Sequence, residues 1–157
     1  MPTYLALAAV CILGVPLWLL IAMLLDAARG QLGARPRTRA VAFFALYLGC
    51  EVIGLLGATL IWCSSLGGRI GGPSRYRDAN AALQRWWSSA LFQGGATLFD
   101  WTIEVEGLDL AQRGPLLLFV RHSSVADTVL TAALVGNPNR LLLRYVLKRE
   151  LLWDPCL

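Results

Sequence analysis

The stretch Tyr4–Leu25, YLALAAVCILGVPLWLLIAMLL, contains no charged side chain. As a helix it would extend about 33 Å, which matches a bilayer hydrocarbon core of roughly 30 Å. Pro16 lies inside the stretch, and membrane helices tolerate such a proline. A cleaved signal peptide would need a basic start and a shorter apolar run. The pattern therefore favours a retained membrane helix over residues 4–25.

A second apolar stretch, residues 40–64, follows a basic linker that runs from Arg29 to Arg39. Together the two stretches predict a membrane anchor over residues 1–66, built as a helical hairpin that crosses the bilayer. A shallow hairpin that enters and leaves one leaflet is the alternative. Arginines in similar number flank the second stretch on both sides, so the positive-inside rule does not decide the orientation.

Glu51 lies near the middle of the second stretch. A carboxylate at that depth is costly, and such residues are functional candidates by default. The structural alternative, which we favour, is a carboxyl group that is protonated or that faces the other helix of the hairpin.

The composition agrees with a membrane protein. Apolar residues make up 57% of the chain and charged residues 15%, against about 45–50% and about 25% in typical globular chains. All but one of the 14 basic residues are arginines, which suits phosphate or anionic headgroups and is equally consistent with a GC-rich genome. They are too dispersed to predict nucleic-acid binding. The 4 cysteines have no spacing typical of a metal site or a disulfide framework.

Residues 67–100 are predicted to form a linker and one helix. Glycines and a proline mark the boundary, and a helical pattern runs from Ser74 to about Phe99. Its aromatic residues and arginines suit a helix at the headgroup level. A core helix of the next domain fits the pattern equally well.

From residue 101 onward the pattern changes to that of an α/β domain. Trp101–Glu106 alternates as a half-buried strand does, and Leu116–Val120 resembles an interior strand. A helix over Thr128–Val135 and a strand over Leu141–Leu147 complete a βαβ unit. Since no closing element follows, we expect residues 101–157 to be the N-terminal part of a truncated α/β domain.

His122, the 1 histidine of the chain, lies just past the predicted strand 116–120, where reactive groups of α/β sheets gather. Asp127 is five positions further on, which on an unbroken helix would place the two side chains about 140° apart. They meet only if residues 122–125 form a turn and Asp127 lies in the first helical turn. The pair then predicts a general base with its orienting carboxylate. A histidine that helps to cap a helix is the structural alternative.

The block LLLFVRHSSVADT resembles the signature of the glycerolipid acyltransferases, the 1-acylglycerol-3-phosphate acyltransferase superfamily. Members carry an apolar strand leading into N-H-x-S-x-x-D. The matching residues here are His122, Ser124 and Asp127, with Arg121 at the asparagine position.

A second block, YVLKRELLWDP at residues 145–155, is similar to the next conserved stretch of that family. The matching residues are Lys148, Glu150, Leu151 and Pro155. The family's later Glu-Gly-Thr-Arg block does not occur in residues 1–157. The resemblance covers roughly residues 98–157.

This resemblance implies a membrane-bound O-acyltransferase. His122 would deprotonate a lysophospholipid hydroxyl, which attacks the thioester of acyl-CoA or acyl-carrier protein, and Asp127 would orient the histidine. Ser124, Arg121 and Lys148 would bind substrate. No metal and no cofactor beyond the acyl thioester are implied. The expected location is a bacterial inner membrane or an internal eukaryotic membrane, with the active site at the lipid–water interface.

Two other interpretations compete with this one. LLLFVRHS also resembles the opening of histidine phosphatases, although Ser123 replaces their glycine and the chain has no second histidine. A membrane-anchored structural protein, with an incidental His–Asp pair, is the non-enzymatic alternative.

Overall fold

The computed structural model describes residues 2–112, 115–121, 127–144 and 146. Three long helices dominate it: α1 (Pro2–Ala28), α2 (Pro36–Ser65) and α3 (Gly72–Phe99). A short 3₁₀ turn follows at Leu108–Gln112, then α4 (Asp127–Thr131) and a π-helical turn at Ala132–Gly136.

Helices α1 and α2 are both long and apolar enough to cross a membrane. At 1.5 Å per residue they extend about 40 and 45 Å. Only 11% and 17% of the residues in their most apolar windows are buried by the rest of the chain, unlike the mostly buried core helices of soluble proteins. Leu13, Leu24, Leu56 and Leu60 are among the large apolar side chains left exposed. This surface needs a covering, which lipid would supply.

Asp26, near the end of α1, holds the first turn of α2. Its buried carboxylate accepts hydrogen bonds from the Thr38 backbone N–H at 3.0 Å and the Thr38 hydroxyl at 2.9 Å. The Arg37 guanidinium donates to it at 3.0 Å and the Arg37 N–H at 3.4 Å. Because the first N–H groups of a helix have no partner within it, Asp26 serves as the N-terminal cap of α2 from a neighbouring helix. We call this arrangement the hairpin clasp.

Helix α3 packs antiparallel along α2. Gly57 approaches Leu83 near one end of the contact, and Phe43 lies against Phe99 near the other. Small residues permit the close approach: a Cβ on Gly57 of α2 would lie 2.9 Å from the Leu83 side chain of α3. Helix α2 thus lies between α1 and α3, and each of its neighbours contacts it extensively.

The predicted α/β fold is wrong for the described residues, which contain no strand. Residues 101–106, 116–120 and 141–144 have an irregular backbone that joins no ladder. Leu117 and Phe119 of the expected interior strand are 87% and 93% exposed. A strand exists only where another strand pairs with it, and the neighbours available here are helices, whose backbone hydrogen bonds are already used.

The predicted helix at 128–135 corresponds to two short elements. Asp127–Thr131 is α-helical, and Ala132–Gly136 continues as a π-helical turn. With no strand on either side of them in the described part of the chain, the βαβ unit is not formed.

Candidate functional site

Two of the predicted site residues fall within the described structure. Asp127 is the first residue of α4, in its first turn, and is half-buried. Arg121 is exposed at the end of the irregular segment 115–121. The predicted residues His122, Ser124 and Lys148 lie outside the described residues.

Val129 fixes α4 against the long helices. It is buried together with Cys50 of α2 and Leu91 of α3, and Tyr47, Trp87 and Phe92 are among the half-buried residues that pack around them. Since Asp127 lies two residues before Val129, this apolar contact places the carboxyl-bearing turn of α4 against the α2–α3 pair. We call this contact the α4 seat.

Asn137 fixes the other end of this short helical segment. Its side-chain amide lies 3.0 Å from the Ser88 hydroxyl and 2.9 Å from the Ser89 hydroxyl, and it also donates to the Arg85 carbonyl at 3.3 Å. Ser88 is 2% exposed, so the amide satisfies a buried group of α3. The segment 127–137 is therefore attached to α3 by an apolar contact at one end and a polar contact at the other.

Glu51 is a buried acid close to the α4 seat. Its side chain is 1% exposed, and Oε1 accepts a hydrogen bond from the Trp87 indole N–H at 3.1 Å. Oε2 has no hydrogen-bond partner among the described residues. The carboxyl group faces α3, and not α1, the other helix of the predicted hairpin. A single buried hydrogen bond leaves half of its polar capacity unsatisfied, which is costly in an apolar interior.

Sequence reasoning did not identify Trp87, Ser88 and Asn137 as part of this region. Trp87 is 36 residues along the chain from its partner Glu51, and Asn137 is 49 residues from Ser88. The only available signal was the polar pair Ser88-Ser89 between the apolar runs Trp86-Trp87 and Ala90-Leu91-Phe92.

The described residues show no group of three or more His, Cys, Asp or Glu side chains that could hold a metal ion. What they show is one carboxylate in the first turn of a short helix and one exposed arginine, on either side of residues 122–126. A carboxylate so placed has the chemistry to accept a hydrogen bond from an imidazole and stabilise its protonated form.

No family model matches the chain, and neither the curated proteins nor the solved structures contain a significant match.

Proposed function

We propose that the chain belongs to a membrane-anchored O-acyltransferase of the glycerolipid class. Acyl-CoA or acyl-carrier protein would donate the acyl chain, and a lysophospholipid hydroxyl would accept it. The observation that carries the proposal is the block FVRHSSVADT at residues 119–128. Its one carboxylate, Asp127, is the first residue of a helix that packs on the apolar helices. The second block at residues 145–155 supports it.

The proposed reaction needs one general base. Neutral His122 accepts the proton of the lysophospholipid hydroxyl as its oxygen bonds to the thioester carbonyl carbon. The tetrahedral intermediate then collapses, the C–S bond breaks, and the thiolate leaves with the proton that the imidazolium returns. Asp127 orients the imidazole and stabilises its charged form. The proposed acyl transfer consumes no oxidant or reductant and uses no metal ion.

Arg121 and Lys148 are the proposed phosphate contacts of the acceptor, with Ser124 beside the base. Arginine binds a phosphate through two parallel hydrogen bonds, and lysine acts as a point charge. The exposure of Arg121 suits a group that meets its ligand from outside the helical core.

The helices α1 and α2 support a location in the membrane. Both substrates of the proposed reaction carry long acyl chains, so an active site at the lipid–water interface shortens the transfer between bilayer and protein. We propose an integral protein of a bacterial inner membrane or of an internal eukaryotic membrane.

The test is acyl transfer to lysophosphatidic acid, measured with acyl-CoA and with acyl-carrier protein thioesters in membranes from cells that express the gene. His122→Ala should lower kcat by at least about a hundredfold, the usual size of a general-base contribution. Asp127→Asn should lower kcat with little change in KM for the acceptor, because it removes support for the imidazolium and no acceptor contact. Asp109→Asn, an exposed aspartate in the 3₁₀ turn, is the matched control. Full activity in His122→Ala would overturn the mechanism.

A further inference from the structure

A groove of about 270 Å³ lies between the start of α2 and the end of α3. This volume is several times the roughly 30 Å³ that one water molecule occupies. Its lining includes two arginines, two threonines and an aspartate: Arg35, Arg39, Thr38, Thr97 and Asp100. We call it the hairpin groove.

The charges of the hairpin groove are of both signs. Arg39 forms an ion pair with Asp100, at 2.8 Å between Nη2 and Oδ2, and the Asp100 side chain is 73% exposed. Arg35 precedes α2 in a left-handed conformation, and its guanidinium forms no ion pair or hydrogen bond within the described part of the chain. Two cations and one reachable carboxylate therefore line the same groove.

Only one of the two helix ends at the groove adds to its separation of positive and negative charge. The last carbonyl groups of α3 give the Asp100 side of the groove a partial negative charge. At the start of α2 the hairpin clasp already uses the N–H groups of Arg37 and Thr38. The positive side of the groove is consequently formed by the arginine side chains, and the negative side by Asp100 and the end of α3.

Aromatic residues lie beside the hairpin groove. Phe43 and Phe99 meet edge-to-face at 5.6 Å, and Trp101 stacks on Phe99 at 6.2 Å. Tryptophan and arginine are both typical of the headgroup level of membranes. Helices α1 and α2, which carry the exposed apolar surface, both reach this end of the molecule.

We propose that the hairpin groove binds the headgroup of a zwitterionic bilayer phospholipid that carries a primary ammonium group, as in phosphatidylethanolamine. The phosphate contacts Arg35 and Arg39, and the ammonium donates hydrogen bonds to Asp100. A choline headgroup has no N–H to donate. A glycerol headgroup lacks the positive charge that Asp100 would meet. None of the residues that line the groove takes part in the proposed acyl transfer, and the inference does not depend on that reaction.

The experiment is a lipid titration of the full chain in detergent micelles, with bound lipids counted by native mass spectrometry. Phosphatidylethanolamine, phosphatidylcholine and phosphatidylglycerol with identical acyl chains serve as probes. We expect phosphatidylethanolamine to bind about tenfold more tightly than the other two, in line with one added charge-assisted hydrogen bond. Equal binding of the three lipids would overturn the proposal. Because this comparison uses the unmodified chain, it does not depend on whether any variant folds.

Variants then test the positive and the negative side of the groove separately. Arg35→Gln should weaken all phospholipids about tenfold, since it removes a phosphate contact. Asp100→Asn should abolish the preference for ethanolamine and strengthen phosphatidylglycerol. Arg69→Gln and Asp109→Asn, which alter exposed residues away from the groove, should bind like the unmodified chain. A loss in Arg69→Gln equal to that in Arg35→Gln would contradict a specific site.

Soluble phosphoethanolamine separates a bilayer lipid from a free headgroup compound. A lipid that also lays its acyl chains on the helices should not be displaced by an equal concentration of this compound. Displacement at equal concentration would overturn the assignment to a bilayer lipid.

Discussion

Glu51 and Trp87 form one buried hydrogen bond between α2 and α3. The indole N–H supplies the one hydrogen bond that the carboxyl group receives, and Oε2 has none among the described residues. Removing one partner of a buried hydrogen bond costs more than replacing both by apolar groups, because the remaining polar atom loses its only compensation. Because these two costs differ, the energetic cost of the buried Glu51 carboxyl group can be measured by comparing single and double variants.

Trp87→Phe should therefore lower the free energy of unfolding by about 1–3 kcal/mol, the cost of a buried polar group left without a partner. Glu51→Leu combined with Trp87→Phe should recover most of that loss. The measurement is unfolding of the purified protein in detergent, followed by far-UV circular dichroism.

Trp86→Phe is the control for this pair, because Trp86 is the preceding residue on α3 and is 41% exposed. It should leave the unfolding free energy nearly unchanged. A double variant no more stable than Trp87→Phe alone would show that the Glu51 carboxyl group has no net cost where it lies.

At the scale of elements, glycine positions decide how closely the helices approach. A Cβ on Gly95 would meet the rigid rings of Trp101 and Phe43 at 2.7 and 3.3 Å, whereas a Cβ on Gly49 would meet nothing within 4 Å. The same substitution to alanine should therefore have opposite effects at the two positions.

Gly95→Ala should destabilise the protein by about 1–3 kcal/mol, as overpacking does. Gly49→Ala should stabilise it by about 0.5–1 kcal/mol through helix propensity. Detergent unfolding of the two variants measures both effects. Stabilisation by both substitutions would mean that α3 does not approach Trp101 as described.

The hairpin clasp is the second feature at this scale. Asp26→Asn keeps one acceptor oxygen but loses the charge that Arg37 and two N–H groups share. The linker at residues 29–35 should then open more often and be cut faster by trypsin after Arg29, since proteolysis follows local opening. Asp78→Asn, an exposed position on α3, should be cut at the original rate. Equal rates for Asp26→Asn and the unmodified chain would show that the clasp does not hold the linker.

The sequence predicts these elements unequally well, for physical reasons. Long apolar runs predict α1 and α2, because each helix satisfies its backbone locally whatever its neighbours are. The alternation at 101–106 and the apolar run at 116–120 predict strands only if partner strands exist, and local pattern does not contain the partner. The partners of Asp26 are 11 and 12 residues further along the chain. The charged linker and the ends of the two apolar runs therefore predict a turn there, but they do not predict the hairpin clasp. At the candidate site, the sequence predicts Asp127 in a first helical turn, but not the α4 seat on Cys50 and Leu91.

The whole molecule has two unlike sides because of the order α1–α2–α3. The exposed residues of α1 and of the free face of α2 are apolar, with Leu13 and Leu60 as examples. The outer face of α3 beside the middle of α2 is polar and includes Gln84, Arg85 and Gln93. A charged side chain at the bilayer centre costs roughly 2.5–3.5 kcal/mol on insertion scales. Because α3 follows α2 over much of its length, an α2 that crossed the bilayer would carry that polar face to the same depth.

We therefore expect the helices to lie along the membrane plane, with α1 deepest and α3 facing water, although the lengths of α1 and α2 would permit crossing. In a cysteine-free background, Gln31→Cys and Arg69→Cys place one thiol beyond each end of α2. An impermeant maleimide should label both from the same side, in spheroplasts or in inverted vesicles but not in both. Labelling of the two sites from opposite sides would establish that α2 crosses, and α3 would then need protein or water, rather than lipid, against its polar face.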